Sequence, residues 1–239
     1  MHIPDGYLGP YTYGALWIIM IPIWIYAGRR LSDELRSKQV PLLALSAAFS
    51  FVIMMFNFPI PGGSTGHAVG AAIISIVLGP WAAVISVTVA LVLQAFIFGD
   101  GGITAIAANC FNMAVVMPFS AYYVYKILSG NTDIYSSRRV IAAAVAGYIS
   151  LTLAAALTGI MFGIQPLLHK TAEGVPIYMP YSLNVTVPAM VVEHVLGFSI
   201  LEALVTAFIF AYIQKTDATL LYGEPSARER TRIRRAGIA

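Results

Sequence analysis

The first two residues bring three metal-binding nitrogen atoms within a few covalent bonds of one another. The α-amine of Met1, the peptide nitrogen of His2 and the His2 imidazole can close two small chelate rings around one ion. Such rings hold the nitrogens close to one plane and leave a fourth corner open, and planar nitrogen ligation is typical of Cu(II) and Ni(II). The chemistry requires Met1 to be the mature N-terminus. We expect that it is, because the first apolar run has neither a basic segment before it nor a small-residue cleavage site after it.

His67 is the candidate for the fourth corner. It follows Pro61-Gly62-Gly63-Ser64-Thr65-Gly66, a turn whose glycines let the backbone approach a ligand closely. It would bind as a neutral imidazole whose other nitrogen is held by a second partner. The alternative is a polar cap at a helix start. The amine, the peptide nitrogen and both imidazoles must lose protons to bind, and the reference pKa values of about 8 for the amine and 6.5 for histidine make this competition relevant near neutrality, so we expect the affinity to fall in mild acid.

The composition indicates an integral membrane protein. Hydrophobic residues make up 59% of the 239 residues, charged residues make up 10%, and the mean hydropathy is +0.79. The one cysteine, Cys110, excludes a disulfide framework and a thiolate metal cluster. We predict an all-α fold of seven transmembrane helices, since a span needs about 20 apolar residues. The predicted runs are 11–28, 40–56, 68–79, 81–98, 103–125, 140–164 and 184–213.

The positive charges indicate the orientation of these helices. With seven spans and the N-terminus outside, Lys170 is the one basic residue of 14 that faces outward, and the others face the cytoplasm. The C-terminus is then cytoplasmic. We expect a single membrane domain over 1–213, made of a metal-chelating loop 1–10 and a helix bundle 11–213, followed by a basic tail 214–239 on the membrane surface. The loops 57–67, 99–102 and 164–183 would share the outer face with Met1.

The first half of the chain resembles the NikM/CbiM family, the membrane-embedded substrate-binding (S) components of energy-coupling factor (ECF) importers for nickel or cobalt. The likeness covers most of residues 1–125 and thins out afterwards. Its motifs are Met1-His2-Ile3-Pro4-Asp5-Gly6, the 61–67 turn quoted above, Leu78-Gly79-Pro80-Trp81-Ala82-Ala83-Val84, Phe98-Gly99-Asp100-Gly101-Gly102-Ile103-Thr104-Ala105 and Ala108-Asn109-Cys110-Phe111-Asn112-Met113.

The resemblance implies that Met1 and His2 chelate the ion and that His67 completes the plane. It implies three kinds of partner: a transmembrane coupling (T) component, a cytoplasmic ABC-type ATPase and, in some systems, a small accessory membrane subunit. Ala44 and Ala48 match the Ala-x-x-x-Ala face on which the family docks the coupling component, although close helix packing within the bundle is an equal alternative. The chain itself has no phosphate-binding loop motif, so we expect no enzyme activity.

Five polar residues are candidates for fixing the chelating loop rather than for holding the ion. Each also has an ordinary structural reading, as a helix cap, a solvated group or a hydrogen bond between helices. Asn109 and Asn112 are three residues apart and share a helix face. The five candidates are Asp5, Asn57, Asp100, Asn109 and Asn112.

The last apolar run contains Glu193, His194 and Glu202, which are functional candidates because ionisable residues are rare in membrane helices. We expect contacts between helices or with a partner rather than metal ligation. Two rival functions use these residues. Glu202 could serve a proton-coupled secondary transporter, and His67, His194 and Glu193 could serve an intramembrane metalloenzyme. His169, in the loop before this run, is expected to be solvated.

The sequence therefore predicts a multi-pass protein of the prokaryotic plasma (inner) membrane that captures Ni(II) from outside for ATP-driven uptake. Co(II) uptake for cobalamin synthesis is the first alternative, because the residues separate the two ions poorly. Nickel is favoured because a deprotonated amide suits a square-planar d⁸ ion. The metal is the transported substrate, the bilayer is the surrounding medium, and no nucleic-acid partner is expected.

Overall fold

The computed structural model describes residues 1–34, 40–60 and 64–221. The predicted glycine turn at 61–63 and the tail from 222 onward lie outside these residues. The described chain is mainly helical, with one small β-hairpin. In its first half the elements are α1 (Pro10–Glu34), α2 (Val40–Met54), β1 (Phe58–Ile60), β2 (Ser64–Gly66), α3 (Ala71–Leu78) and α4 (Pro80–Leu93), and α4 continues as a π-helical segment, Gln94–Phe98.

The second half consists of longer continuous helical runs. α5 (Ile106–Cys110) passes through a π-helical segment (Phe111–Val116) into α6 (Met117–Ser129). After α7 (Ser137–Gly163) and the short α8 (Gln165–Leu168), the run of α9 (Leu183–Glu193), a third π-helical segment (His194–Phe198) and α10 (Ser199–Thr216) follows, and a 3₁₀ turn (Ala218–Leu220) ends the described chain.

The Gly79-Pro80 pair separates two helices. Gly79 has a φ of 88°, its N–H donates to Ser75 O, and Pro80 begins α4 at a position where a missing N–H is tolerated. The segment 68–79 is therefore not joined to the following run as one broken helix. Because α3 has eight residues, it is only about 12 Å long and cannot cross the hydrocarbon layer by itself.

In the described part of the chain, four helical runs are long and apolar enough to cross a membrane: Pro10–Leu31, Pro80–Phe98, Ser137–Leu168 and Leu183–Thr216. Val40–Met54 is a shorter apolar helix. The multi-pass membrane character is thus seen in the helices themselves. The number seven stays a prediction, since its third span would have to combine α3 with the non-helical residues before it.

Helix α7 is the central helix of the second half and packs against α6, α9 and α10. Small residues make this close approach possible. A Cβ at Gly147 would lie 3.0 Å from Thr206 Oγ1, and a Cβ at Gly159 would lie 2.9 Å from Thr186 O. Helix α4 packs against α1, α2 and α3. Small residues that let backbones approach are the usual means of helix association in membranes.

Four stretches made mostly of loops meet at one end of this bundle, which we call the loop end: residues 1–9, the β1–β2 hairpin, 99–105 and 164–182, which includes the short α8. Hydrogen bonds tie them together. The Gly102 N–H donates to Ile3 O at 2.8 Å, the Met179 N–H to Tyr7 O at 3.3 Å, and the Ser64 hydroxyl to His2 O at 3.3 Å. The segments that the charge pattern assigned to one face are therefore in direct contact.

Candidate metal site

The N-terminal segment is folded into the interior instead of extending into solvent. Met1, His2 and Ile3 are 1%, 3% and 0% exposed. Ile3 anchors them through its backbone: its N–H donates to Asn109 Oδ1 at 2.8 Å, and its carbonyl accepts from Asn109 Nδ2 at 3.2 Å. The backbone groups of a buried loop need such partners. Asn109 supplies both at once.

Asp5 fastens the next part of the loop to the turn after α4. Its carboxylate accepts from the N–H of Ile103 at 3.0 Å, and from the N–H and the hydroxyl of Thr104 at 2.9 and 2.5 Å. Partial burial opposes ionisation, but these hydrogen bonds outweigh it and lower the pKa of Asp5. The glycines beside them leave room for the loop. A Cβ on Gly102 would lie 2.3 Å from Asp5 N, and Gly101 has a φ of +90°.

The far end of the loop is held by α8. The Gly9 N–H donates to Gln165 Oε1 at 2.9 Å, and Gln165 also donates to Thr12 Oγ1 at 3.0 Å and to Met161 O at 2.6 Å. The ring of His169 packs so closely on Gly9 that a Cβ there would be 2.2 Å from Nε2. His169 is 8% exposed and stacks on Tyr11, so the expectation that it is solvated was wrong. Its ring is used as packing surface for the loop.

The α-amine of Met1 lies against His67. It donates a hydrogen bond to the carbonyl of Thr65 and lies 3.3 Å from His67 Nε2. His67 is fully buried, and its Nδ1 lies 3.0 Å from Ala68 O. Because a carbonyl can only accept, Nδ1 carries the proton of the neutral ring and Nε2 keeps its lone pair. The nitrogen that faces the amine is therefore the one able to bind a metal ion.

The His2 imidazole is oriented in the complementary way. Its Nε2 lies 3.1 Å from Gln94 Oε1, an acceptor, so Nε2 carries the proton and Nδ1 keeps its lone pair. Nδ1 is buried and has no hydrogen-bond partner among the described residues; Asp100 Oδ1 lies 3.4 Å away. Nδ1 is also the ring atom that closes a six-membered chelate ring with the His2 peptide nitrogen. The two imidazole centroids are 4.6 Å apart.

Burial keeps all of these nitrogens uncharged. It lowers the pKa of the Met1 amine to about 4, although Asp100 opposes the shift. Burial, and then the charge of the amine, lower the pKa of His2 to about 3, against the opposing effect of the hydrogen bond that His2 donates to Gln94. The pKa of His67 falls well below its usual value for the same first reason. The lone pairs of the amine and the imidazoles are thus available at neutral pH, so the expected competition with protons near neutrality is left to the His2 peptide nitrogen alone.

Two acidic residues support the pocket. Asp100, whose pKa is raised by burial against the effects of the amine and Asn57, accepts from Asn57 Nδ2 at 2.9 Å. Glu202, on α10, is fully buried and accepts from the N–H groups of Val69, Gly70 and Ala72 at 2.8, 2.9 and 3.4 Å. These N–H groups directly follow the loop that carries His67. Glu202 therefore fixes the backbone on which the fourth nitrogen is mounted.

The sequence missed two of these supports. Gln94 is the only side-chain amide in the run 81–98, a signal that could have been followed, whereas the pairing of Glu202 with backbone N–H groups 130 residues away leaves no local pattern. Asn112 donates to Thr158 Oγ1 at 2.9 Å and joins two helices, whereas Asn109 bonds to the N-terminal loop. The role of Asn112 in fixing that loop stays a prediction.

Within residues 1–34, 40–60 and 64–221, no three His, Cys, Asp or Glu side chains gather in a metal-binding cluster. The candidate site is of another kind, because two of its four donors would be the amine and a peptide nitrogen. The arrangement offers four nitrogens, Met1 N, His2 N, His2 Nδ1 and His67 Nε2. This is a donor set for a small divalent ion with planar preference.

Known proteins that are similar to this chain are described as metal transporters. Residues 2–220 match the family model CbiM, described as the cobalt uptake substrate-specific transmembrane region. The fused nickel transport protein NikMN of Rhodobacter capsulatus is 50% identical over 232 residues, which are 96% of this chain and 67% of the relative. The probable fused nickel transport protein LarMN of Lactiplantibacillus plantarum is 42% identical over 230 residues, 95% of this chain and 69% of the relative.

A solved structure is similar over nearly the whole chain. A crystal structure of a transition metal transporter superposes with a TM-score of 0.87 at 44% sequence identity, covering 98% of this chain and 99% of that one. The family model matches nearly the whole chain, and the chain is 50% and 42% identical to the two relatives over the shared region. The chain belongs to the CbiM family of cobalt-uptake transmembrane proteins.

Proposed function

We propose that this chain captures Ni(II) as the substrate-binding component of an ATP-driven ECF-type importer. The observation that carries the proposal is the buried amine of Met1, 3.3 Å from the lone-pair nitrogen of His67, beside a His2 Nδ1 that has no hydrogen-bond partner in the described structure. A buried polar atom without a partner is costly and calls for an explanation. A bound ion satisfies both imidazoles and the amine together.

The charges around the site fit a divalent ion. A bound Ni(II) brings two positive charges, the His2 peptide nitrogen gives up one proton on binding, and the Asp100 carboxylate lies 3.4 Å from His2 Nδ1. The amide and this carboxylate together offset the charge of the ion. A buried charge needs such compensation. The neutral state of the remaining nitrogens means that no other proton has to be displaced.

Nickel is proposed over cobalt because of geometry. A deprotonated amide in a small chelate ring imposes a strong planar field, which suits a d⁸ ion such as Ni(II) better than Co(II). The two relatives described above carry nickel in their names, whereas the family model is described by cobalt uptake. Cobalt therefore stays the alternative substrate, and competition between the two ions decides it.

The orientation follows from the charges. With seven spans, an external N-terminus and a cytoplasmic C-terminus, the loop end faces outward and the metal enters from outside. The arginine-rich segment after residue 222 then lies on the cytoplasmic membrane surface. This is the arrangement in which Lys170 is the one outward basic residue of the chain.

The partners are proposed from the family and from two exposed alanines. Ala44 and Ala48 lie on α2 and are exposed in this chain, so their face is open to a transmembrane coupling component. A cytoplasmic ABC-type ATPase would supply the energy, since the chain has no phosphate-binding loop motif. The two fused relatives extend beyond the matched region by about a third of their length, which supports an additional membrane subunit beside this chain.

The rival functions are less well supported by the geometry. Glu202 accepts three backbone N–H groups, and a proton carrier at this position would have to release them in each cycle. A metalloenzyme needs an open coordination position for an activated water. Four nitrogens in one plane leave no in-plane position open.

The test is a titration of the purified full-length chain with Ni(II) and with Co(II), followed by absorption spectroscopy and calorimetry. We expect one tightly bound Ni(II), a yellow planar chromophore, and displacement of Co(II) by Ni(II). His67→Asn should weaken the binding strongly, whereas the control Asn131→Ala, in the exposed turn between α6 and α7, should leave it within about threefold. Equal nickel binding by the wild type and His67→Asn would contradict the proposed site.

A further inference from the structure

Asp100 connects the surface of the loop end with the interior of the candidate site. Its side chain is 19% exposed, whereas that of His2 is 3% exposed, and its Oδ1 lies 3.4 Å from His2 Nδ1. That nitrogen keeps a lone pair and has no hydrogen-bond partner among the described residues. The charge of the carboxylate also acts on the α-amine of Met1. One carboxyl group is therefore in contact with water and with a candidate donor at the same time.

Gln94 orients both members of this contact. Its backbone carbonyl accepts from the Asp100 N–H at 3.1 Å, and its side-chain oxygen lies 3.1 Å from His2 Nε2. The second carboxylate oxygen, Oδ2, accepts from Asn57 Nδ2 at 2.9 Å, which leaves Oδ1 to face the imidazole. The backbone of the turn is close as well, since a Cβ on Gly101 would lie 3.3 Å from the His2 ring. The carboxylate is thus fixed in place beside the imidazole.

One metal ion fits between the two atoms. Bonds from nitrogen and oxygen ligands to a small divalent ion are about 2.0–2.2 Å long, and two such bonds span the observed 3.4 Å at an angle of about 110°. Carboxylates are ligands of divalent ions that keep part of their water, and imidazole is a ligand of Ni(II). The pair therefore offers a first holding position that shares one nitrogen with the planar site.

The other space beside the chelating loop is less suitable for an ion. A cavity of about 240 Å³ is lined from β2, α7 and α9, mainly by apolar side chains such as Phe162 and Met179. The Ser64 hydroxyl in its wall is already donated to His2 O. A hydrated ion would lose its waters there without replacement, which is costly. The polar approach at Asp100 is favoured for this reason.

From these contacts we propose that Asp100 is the entry ligand of the site: its Oδ1 binds the hydrated divalent ion first and passes it to His2 Nδ1. The inference rests on the proposed capture of Ni(II) by the four nitrogens. As the α-amine, both imidazoles and the peptide nitrogen bind the ion, its waters return to solvent, the amide proton of His2 leaves to water, and the bond to the carboxylate breaks. The metal stays Ni(II) throughout, and no electron is transferred.

The test is the rate of Ni(II) binding to the purified full-length chain, followed by stopped-flow absorption of the planar chromophore. Asp100→Ala removes the carboxylate; asparagine is avoided because its amide N–H would donate to His2 Nδ1 and block it. We expect the association rate constant to fall about tenfold or more, which is within the range by which local charge raises association rates. The dissociation rate constant should not rise, because the carboxylate bonds to the ion only on the way in and out.

Two further variants at the same position test the chemistry of the side chain. Asp100→Glu keeps a carboxylate and should bring the association rate constant to within about threefold of the wild-type value. Asp100→Ser retains a small polar side chain in the turn and should show the same loss as alanine. Thermal unfolding without metal and the final amount of chromophore show that each variant is folded and binds one ion.

The matched control is Glu173→Gln, which removes an exposed carboxylate from the 164–182 stretch of the same loop end. Its association rate should equal that of the wild type within about twofold, which separates a direct contact from the general charge of this face. Wild-type association by Asp100→Ala would overturn the inference and leave the planar site intact. A faster dissociation that accounts for the whole loss of affinity would also overturn it, because Asp100 would then act only on the bound ion. Failure of the wild-type chain to bind Ni(II) would overturn the proposed function itself.

Discussion

The buried α-amine gives the sharpest prediction, because it can be blocked and released in the same molecule. A removable leader peptide of several residues without His, Cys, Asp or Glu is placed before Met1, and a site-specific protease then restores the native terminus. A leader of one residue is avoided, since an Xaa-Xaa-His terminus supplies four planar nitrogens by itself. The leader converts the amine into an amide and must find space beside Met1, which is 1% exposed.

The size of the effect follows from the number of donors. Binding free energies of four-ligand metal sites are about 10–16 kcal/mol, so one donor in four is worth about 2.5–4 kcal/mol. That corresponds to a loss of about 10²–10³ in affinity. Steric exclusion adds to it, because one residue spans about 3.6 Å. The amine nitrogen already lies 3.3 Å from His67 Nε2 and hydrogen-bonds to the carbonyl of Thr65, which leaves no gap for another residue.

The measurement is the Ni(II) dissociation constant of one preparation before and after cleavage of the leader, by competition with a chelator of known affinity. We expect weak binding and no planar chromophore before cleavage, and tight binding with the chromophore afterwards. A protected sample treated with inactivated protease is the control. The same dissociation constant before and after cleavage would show that the ion is held elsewhere, and the chelate would have to be abandoned.

Three further outcomes are expected. Gly102→Ala pushes a Cβ to within 2.3 Å of Asp5 N and should weaken Ni(II) binding about tenfold, whereas Gly14→Ala, where nothing lies within 4 Å, should not; isothermal titration checks both. Glu202→Gln turns an amide N–H toward a backbone N–H and should lower both the melting temperature and the Ni(II) affinity, as seen by thermal unfolding with and without the ion. Between pH 5 and 8, the amine of Met1 and the imidazole of His2 are already unprotonated, because burial lowers their pKa values to about 4 and about 3. Affinity should then fall about tenfold per unit decrease in pH, from the one amide proton; a fall of about a hundredfold per unit near pH 7 would mean that the amine is solvated.

The sequence could indicate the proposed site because its candidate donors are encoded locally. A free amine, a peptide nitrogen and an imidazole are neighbours in the chain, and the turn before His67 is visible in the glycines. Asn109 was a candidate on the same basis, as a polar residue in an apolar helix. Helix positions followed from hydrophobic runs, with Gly79-Pro80 as a break between two of them. These features depend on spacing over a few residues.

What the sequence could not give are contacts and environments. The tautomer of His2 is fixed by Gln94, and the loop of His67 is held by Glu202, and both pairs are far apart in the chain. The pKa values depend on burial that no local pattern records. His169 was expected to be solvated because it lies in a polar loop, yet it is 8% exposed and packs on Gly9. Asn112 is an asparagine in the same apolar run as Asn109, but it bonds to Thr158. The packing of the helices, which the sequence does not show, decides what each amide contacts.

The way in which the first residues are tied down has a consequence for biosynthesis. The backbone of Ile3 hydrogen-bonds to Asn109, and that of Gly9 hydrogen-bonds to Gln165. The N-terminal segment therefore cannot make all of its stabilising contacts until 165 residues have been synthesised. At about 5–20 residues per second, the ligand-bearing end remains unfastened for roughly ten to thirty seconds after it is made. Formation of the nickel pocket is therefore among the last events of maturation. Mutations late in the chain, at Gln165 or Glu202, should prevent the pocket from forming although Met1 and His2 themselves are unchanged.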